Sequence, residues 1–260
     1  METSRRDLLK IGGICALGLG ALPLVNEMAK ADTPKYLPNP QALTAKRWAM
    51  VVDMKACWEK GKPGCKDCII ACHTVHNVPD IGSVKEEIKW LWTEKFENTF
   101  TGQENEMVPE EFKDKPFMVL CNHCTYAPCT RVCPTQATFK RADGITMMDF
   151  HRCIGCRYCM AGCPYGARSF NFRDPRNYIK TELNPTFPTR ERGVVEKCNF
   201  CDERLAAGKL PACVEACKAK ALTFGDLEDP ASEVRKLLAK RFSIRRKPEL
   251  GTQPAVYYII

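Results

Sequence analysis

The chain has 260 residues, with 39 lysines and arginines against 31 acidic residues, a formal charge of +8, and 17 cysteines. Its composition, 45% apolar and 27% charged, is that of a globular protein and excludes a wholly disordered chain. No apolar run reaches the length of about 18 residues that a membrane span needs, which excludes a multi-span membrane protein. The basic balance would suit nucleic acid or an anionic membrane as a partner. The cysteines are too sparse in so long a chain for a disulfide scaffold.

The first 31 residues have the pattern of a twin-arginine signal peptide. Arg5 and Arg6 precede an apolar, glycine-rich stretch over 11–25, and the small residues Ala29 and Ala31 form an A-x-A cleavage site. Such a stretch is too short for a transmembrane helix, and paired arginines specify export in the folded state. We therefore predict a periplasmic location, with an ordinary secretory signal or an uncleaved anchor as alternatives. Cys15 falls in the apolar stretch and is expected to be chemically silent.

The remaining sixteen cysteines form four groups of four, each ending in Cys-x3-Cys. The groups are Cys57, Cys65, Cys68, Cys72; Cys121, Cys124, Cys129, Cys133; Cys153, Cys156, Cys159, Cys163; and Cys198, Cys201, Cys213, Cys217. The third group, followed by Pro164, is the complete C-x2-C-x2-C-x3-C-P run of bacterial ferredoxins. The other three are spacing variants, with seven residues between Cys57 and Cys65 and eleven between Cys201 and Cys213.

This spacing suits [4Fe–4S] clusters. A tight C-x2-C-x2-C loop supplies three of the four tetrahedral thiolates, and the fourth cysteine begins a helix that points away and ligates a second cluster. The groups must therefore work in pairs, and four groups predict four [4Fe–4S] clusters.

Three other uses of these cysteines fit less well. Disulfides suit an exported protein, but a chain folded before export meets a reducing cytosol. Zinc knuckles use C-x2-C pairs but need neither the third C-x2 step nor the trailing Cys-Pro. A c-type haem needs C-x-x-C-H, whereas the run from Cys68 to His73 has one residue too many.

The cysteine groups also belong to an internal repeat. An apolar stretch precedes each group, at 50–52, 117–120, 145–148 and 194–195. Three groups are followed by an alanine and then a phenylalanine: Ala137, Ala167, Ala221 and Phe139, Phe170, Phe224. Asp143-Gly144 between two strand-like runs predicts a hairpin. We predict an α+β fold of tandem bacterial-ferredoxin-like double-cluster modules with loop insertions and a core dominated by cofactors.

Three stretches lie outside the repeat. Residues 73–120 form an insertion in which the alternation of Trp90 and Trp92 predicts either a strand packed on the modules or an exposed contact surface. Residues 171–197 are expected to be a loop-rich connector. Asp229-Pro230 predicts the start of a structural helix over 231–242. The basic residues after it are expected to be solvated, because no base-stacking motif accompanies them; they are Arg241, Arg245, Arg246 and Lys247.

These features divide the chain into five regions. They are the signal peptide (1–31), the first group with its insertion (32–120), the module of groups two and three (121–170), the connector with group four (171–226), and the C-terminal helix and tail (227–260).

Four histidines lie near cysteine groups: His73, His76, His123 and His151. With four thiolates per cluster they are not needed as ligands, which leaves hydrogen bonding to a cluster or a position near a quinone.

Two motifs carry a family resemblance. Cys121-Asn-His-Cys124-Thr-Tyr-Ala-Pro-Cys129-Thr-Arg-Val-Cys133-Pro134, and the fourth group with the tail Gly251-Thr-Gln-Pro-Ala-Val-Tyr-Tyr, resemble the iron–sulfur subunits of polysulfide, dimethyl sulfoxide and formate oxidoreductase complexes. The widened first group, the run from Cys72 to Asp80 and the tryptophan-rich insertion look like the ferredoxin subunit of the DsrMKJOP complex of sulfate reducers. Departures are the gap after Cys57 and Lys218 in place of proline.

The resemblance implies that group one pairs with group four and group two with group three. It then implies four cluster sites, named here first to fourth: Cys57, Cys65, Cys68, Cys217 (first); Cys198, Cys201, Cys213, Cys72 (second); Cys121, Cys124, Cys129, Cys163 (third); Cys153, Cys156, Cys159, Cys133 (fourth).

A chain of this kind is a non-catalytic electron carrier. The resemblance implies an integral membrane quinone-interacting subunit as one partner and a multihaem cytochrome c, or alternatively a molybdopterin subunit, as the other. An enzyme reducing a small substrate would need an open iron position, which sixteen ligands for four clusters do not leave, and a zinc-stapled interaction protein would contain no iron.

The net charge fits this interpretation. Without residues 1–31 the chain is near +7, and sixteen thiolates with four oxidised cores of about +2 each bring roughly −8. The basic balance is then largely counter-charge to the cofactors, and no nucleic-acid partner is expected.

Overall fold

The computed structural model describes residues 39–61 and 64–260, so the predicted signal peptide and Cys15 lie outside the described residues. The described strands are β1 (Trp48–Asp53), β2 (Leu91–Glu94), β3 (Phe117–Leu120), β4 (Thr138–Lys140), β5 (Thr146–Met148), β6 (Ser169–Phe170), β7 (Val195–Glu196), β8 (Leu222–Asp226) and β9 (Val256–Ile259).

The described α-helices are short. They are α1 (Met54–Lys60), α2 (Asp67–Val75), α3 (Phe96–Thr99), α4 (Glu110–Lys113), α5 (Pro128–Arg131), α6 (Tyr158–Ala161), α7 (Asp202–Ala206), α8 (Ala212–Ala216) and α9 (Glu233–Lys240), with 3-10 turns at Val84–Glu86, Pro175–Tyr178 and Pro248–Leu250. Among these described helices none is long and apolar enough to cross a bilayer. The mixture of short helices and small sheets agrees with the predicted α+β class.

In the described part of the chain, four small sheets border the cysteine groups. Three strands pair in the order β8-β1-β9, with β1 antiparallel to β8 and parallel to β9, and the other sheets are the antiparallel pairs β2-β3, β4-β5 and β6-β7. Pairing of β1 with β8 joins the segment before group one to the segment after group four. The β4-β5 pair confirms the predicted hairpin, and Gly144 has the positive φ of +86° that this turn requires.

The apolar stretches before the groups supply strands β1, β3, β5 and β7, and their side chains are mostly buried. The alanines that follow the groups, Ala137, Ala167 and Ala221, are each 1% exposed. A larger side chain would have no room at such positions in a close-packed interior.

The insertion is packed on the connector through a buried ion pair. Trp90 and Trp92 are 0% and 7% exposed, so the packed interpretation is correct and the exposed-surface alternative is wrong. The Trp90 indole donates to Glu196 Oε2 at 2.8 Å, and the same oxygen lies 2.7 Å from Arg190 Nη2. Both charged side chains are fully buried. Arg190 also donates to the carbonyl of Asn77 at 2.8 Å, which fixes the connector to the insertion.

The C-terminal region differs from its prediction in three ways. Helix α9 begins at Glu233 because Ser232 accepts from the Arg235 amide, whereas Asp229 makes a local turn with the Ala231 amide. The tail forms β9, which pairs with β1 and was not predicted. Arg246 is 3% exposed and donates to a backbone carbonyl, so the prediction that this basic residue is solvated is wrong.

We expect Glu196→Gln to destabilise the protein by about 3–5 kcal/mol, because it leaves the Arg190 charge buried without its partner. The measurement is the denaturant midpoint for loss of folded structure, followed by circular dichroism under anaerobic conditions. Glu233→Gln is the matched control, since that residue pairs with Lys236 on the exposed face of α9 and its loss is expected to leave the midpoint unchanged. Equal midpoints for the two variants would contradict a structural role for the buried pair.

Candidate iron–sulfur cluster sites

Helix packing brings the ends of different cysteine groups together. Helix α2 carries Cys68 and Cys72, and α8 carries Cys213 and ends beside Cys217. These two helices pack against each other, as do α5 of group two and α6 of group three. Group one therefore lies against group four, and group two lies against group three.

The first-site cysteines lie close together. The pKa of the Cys68 thiol is raised to about 12 by burial and by its like-charged neighbours Cys57, Cys217 and Cys65. Burial, then Cys217 and Cys65, also raise the pKa of Cys57. Cys57 thus lies with this set despite the seven-residue gap that follows it.

The second site contains one cysteine from group one. Burial raises the pKa of Cys72 well above its usual value, and the neighbours that add to this effect most are Cys198, Cys201 and Cys213 of group four. All four of these thiols are buried. Cys72, only four residues after Cys68, thus faces a different set of sulfurs.

The third and fourth sites show the same crossing. One small cavity is lined by Cys121, Cys124 and Cys129 of group two together with Cys163 of group three. A second cavity is lined by Cys153, Cys156 and Cys159 together with Cys133 of group two. The structure thus brings together all four quartets that the family resemblance implies.

The four sites adjoin in series. Cys68 of the first site is a charged neighbour of Cys72 and Cys213 of the second. Cys121 of the third site raises the pKa of Cys198 of the second, after burial, to about 12. Cys129 of the third site likewise interacts with Cys159 of the fourth. The order is therefore first, second, third, fourth.

Exposure differs along this series. Among the described cysteines only Cys65 and Cys156 are exposed, and they belong to the first and fourth sites. The second-site thiols and three of the third-site thiols are buried. Each terminal site therefore includes one exposed cysteine, and neither middle site includes one.

The residues present fit [4Fe–4S] clusters. All sixteen cysteines in the described chain are free thiols, and soft sulfur ligands select zinc or iron–sulfur centres. Backbone amides point at the sulfurs: Phe200 N lies 3.4 Å from Cys198 Sγ, and Ala221 N lies 3.3 Å from Cys217 Sγ. Hydrogen bonds of this kind stabilise thiolates and tune cluster potentials. Burial raises the pKa of the Cys68, Cys72 and Cys198 thiols, and a bound metal core favours the thiolate form that ligation requires.

Two of the four histidines make contacts with protein groups close to cysteines. His76 is buried, with Nδ1 2.8 Å from the Cys72 carbonyl and Nε2 3.0 Å from a Glu203 carboxylate oxygen. His123 stacks on Phe200 at 3.7 Å between the second and third sites.

The other two histidines are placed differently. His73 Nε2 lies 3.2 Å from the Leu91 carbonyl, and His151 is exposed. None of the four is needed to complete a quartet.

Two functional candidates were missed from the sequence. Arg168 is 4% exposed and its Nη2 lies 3.1 Å from Cys129 Sγ, and Lys197 is 1% exposed immediately before Cys198. The only sequence signal was that each residue is next to a residue of the repeat: Arg168 follows Ala167, and Lys197 precedes the cysteine ligand Cys198. Nothing in that spacing shows whether a basic side chain turns inward.

Comparison with known proteins indicates the same class of cofactor. Residues 115–177 and 183–227 match the 4Fe-4S dicluster domain family. An Archaeoglobus fulgidus relative, Hdr-like menaquinol oxidoreductase iron-sulfur subunit 1, is 41% identical over 98% of this chain and 97% of its own. A tetrathionate reductase subunit of Salmonella typhimurium is 35% identical over 100% and 89%. The menaquinone reductase iron-sulfur cluster-binding subunit of Nitratidesulfovibrio vulgaris is 34% identical over 82% and 88%.

The fold and the cysteine quartets together define a [4Fe–4S] cluster-binding protein of the dicluster type. More specifically, the chain belongs to the family of iron–sulfur subunits of oxidoreductase complexes. Its part in such a complex is electron transfer, and the catalytic chemistry belongs to other subunits.

The crossing of Cys72 can be tested by counting iron in single and double variants. We expect Cys72→Ala to lose about four iron atoms per chain and Cys72→Ala with Cys198→Ala to lose the same four, because both residues serve one cluster. Cys72→Ala with Cys68→Ala is the comparison pair and is expected to lose about eight. The reverse pattern would show that each group holds its own cluster.

Proposed function

We propose that this chain carries four [4Fe–4S] clusters and conducts electrons between a membrane quinone-interacting subunit and a second redox partner, at the periplasmic face of the membrane. One observation carries the proposal. Four cysteine quartets adjoin in series, and only the terminal two include an exposed cysteine among the described residues. A series with an exposed cysteine at each end suits transport through the protein better than chemistry at one site.

The protein's own residues would position the clusters and control their surroundings. When bound, a [4Fe–4S] cluster takes up and gives back one electron without breaking bonds to its ligands. Seven of the eight cysteines of the two middle sites are buried, and the buried alanines after three of the groups allow close packing around the cysteines. Backbone amides directed at Cys198 and Cys217 favour the charge that the thiolates carry.

The quinone assignment rests on the relatives. Two of them are named as subunits of a menaquinol oxidoreductase and of a menaquinone reductase, and we propose a quinone of this class for the present complex. A quinol releases two electrons and two protons when it is oxidised to the quinone. The electrons would pass one at a time to this chain, and the protons would leave through the membrane subunit. The opposite direction uses the same steps in reverse. The predicted twin-arginine signal supports the periplasmic location.

For the particular complex we propose a DsrMKJOP-like assembly linked to sulfite or sulfate reduction. Support comes from the widened first group and the tryptophan-containing insertion, which resemble those of the DsrMKJOP ferredoxin subunit. In the structure Trp90 of this insertion is buried, and its indole donates to Glu196 of the connector. The second partner would then be a multihaem cytochrome c. A molybdopterin subunit is the alternative; relatives named as selenate and tetrathionate reductase subunits are each 35% identical to this chain.

Metal analysis tests the cluster content. Anaerobically purified protein is expected to contain about sixteen iron and sixteen sulfide per chain, with broad visible absorption that dithionite bleaches. Colourless protein rich in zinc would contradict the proposal, because zinc has no redox chemistry.

Co-purification tests the complex. Mild detergent extraction of membranes, followed by capture of this chain through an affinity tag, is expected to recover a haem-staining subunit with c-type absorption bands. Recovery of a molybdenum-containing subunit without haem would replace the DsrMKJOP-like assignment and leave the electron-transfer function intact.

A further inference from the structure

A buried arginine lies where the third and fourth sites adjoin. Arg168 lines the third-site cavity, and its guanidinium donates to Cys129 Sγ at 3.1 Å. Burial alone would lower the pKa of Arg168, but Cys129, Cys159 and Cys121 together raise it above its usual value. Since Cys159 belongs to the fourth site, the charge of Arg168 acts on sulfurs of both sites.

A buried lysine lies where the second and third sites adjoin. Lys197 is 1% exposed, and its Nζ donates to the Thr146 carbonyl and, at 2.7 Å, to the Cys198 carbonyl. Its charge acts on the second-site thiol of Cys198 and on His123, which lines the third-site cavity.

These two cations have no carboxylate partner within 4.0 Å in the part of the chain that the structure describes. Arg190 provides the contrast, because it is equally buried but is paired with Glu196 at 2.7 Å. A buried charge without a counter-charge is strongly unfavourable. The anionic assembly of a cluster with four thiolates would supply the missing counter-charge at the second, third and fourth sites.

His123 adds a donor at the third site. Its Nδ1 accepts from the Thr146 amide at 3.1 Å, which leaves the ring proton on Nε2. That Nε2 is buried without a hydrogen-bond partner among the described residues, while the ring lines the third-site cavity. A cluster sulfur would satisfy it.

We propose that Arg168 and Lys197 are the counter-cations of the buried clusters, and that the third site, which adjoins both, has the highest reduction potential of the four. Reduction adds one negative charge to a cluster, and a nearby positive charge in a low-dielectric interior favours that form. The second site adjoins Lys197 and the fourth adjoins Arg168. The first site has neither cation; Lys218, which follows its ligand Cys217, is 83% exposed. This inference rests on the proposed four-cluster content.

The test is a redox titration of the purified holoprotein, followed by electron paramagnetic resonance of the reduced clusters. In Arg168→Met we expect the potentials of the third and fourth clusters to fall. In Lys197→Met we expect the potentials of the second and third clusters to fall. One cluster, the highest-potential one in the wild type, is common to both pairs, and one cluster shifts in neither variant. For the common cluster we expect at least a tenfold loss in the equilibrium constant for reduction, which is about 59 mV for one electron.

Matched variants separate charge from packing. Arg168→Lys keeps the charge and is expected to titrate close to the wild type. Arg168→Gln removes the charge but keeps a hydrogen-bond donor, and it replaces Arg168→Met if that variant binds less iron. Arg152→Met removes a charge next to Cys153 from a side chain that is 64% exposed and paired with Asp149, and it is expected to shift no potential.

The outcomes are distinguishable. Unchanged potentials in fully loaded Arg168→Gln and Lys197→Met, or equal shifts in Arg168→Lys and Arg168→Gln, would overturn the counter-cation proposal and leave the proposed function standing. A wild-type protein with fewer than four clusters would overturn the proposed function itself.

Discussion

The last cysteine of each group lies in a site built mainly by another group, and the rest of the fold follows from this crossing. Cys72 and Cys217 can exchange sites only if α2 packs against α8, although these helices are far apart in the sequence. The antiparallel pairing of β1 with β8 also joins the segment before group one to the segment after group four. The short α5 and α6 repeat the arrangement for groups two and three. A contiguous buried apolar core surrounds the cysteine sites, and sulfur ligation would add cross-links between the short helices that carry the cysteines.

The crossing creates an electrostatic problem, because it gathers anionic sulfurs in a buried interior. Backbone amides directed at sulfur, as at Cys198 and Cys217, supply part of the answer. Arg168 and Lys197 add buried positive charge at the middle of the series, where little water is available to solvate the sulfur charges. Part of the positive charge of this protein therefore lies in its interior beside the cysteines and not on its surface.

Local sequence patterns predicted the four cysteine groups and the hairpin between the second and third, since ligand spacing and turn residues act over a few positions. The β4-β5 hairpin at Asp143-Gly144 is an example. The pairing of the groups came from the family resemblance. The failures concern contacts between distant segments. The partner of Trp90 is Glu196, more than 100 residues away, and Arg246 is buried against a carbonyl of the insertion. The start of α9 was misplaced because both Asp229 and Ser232 are good N-cap residues and only packing chooses between them.

The central claim is that four clusters lie in series through one chain. Anomalous diffraction at the iron absorption edge, from crystals of anaerobic holoprotein, tests it most directly. We predict four compact iron peaks, each surrounded by three cysteines of one group and the last cysteine of its partner group. Fewer peaks, four cysteines of a single group around one peak, or anomalous signal at the zinc edge instead would contradict it.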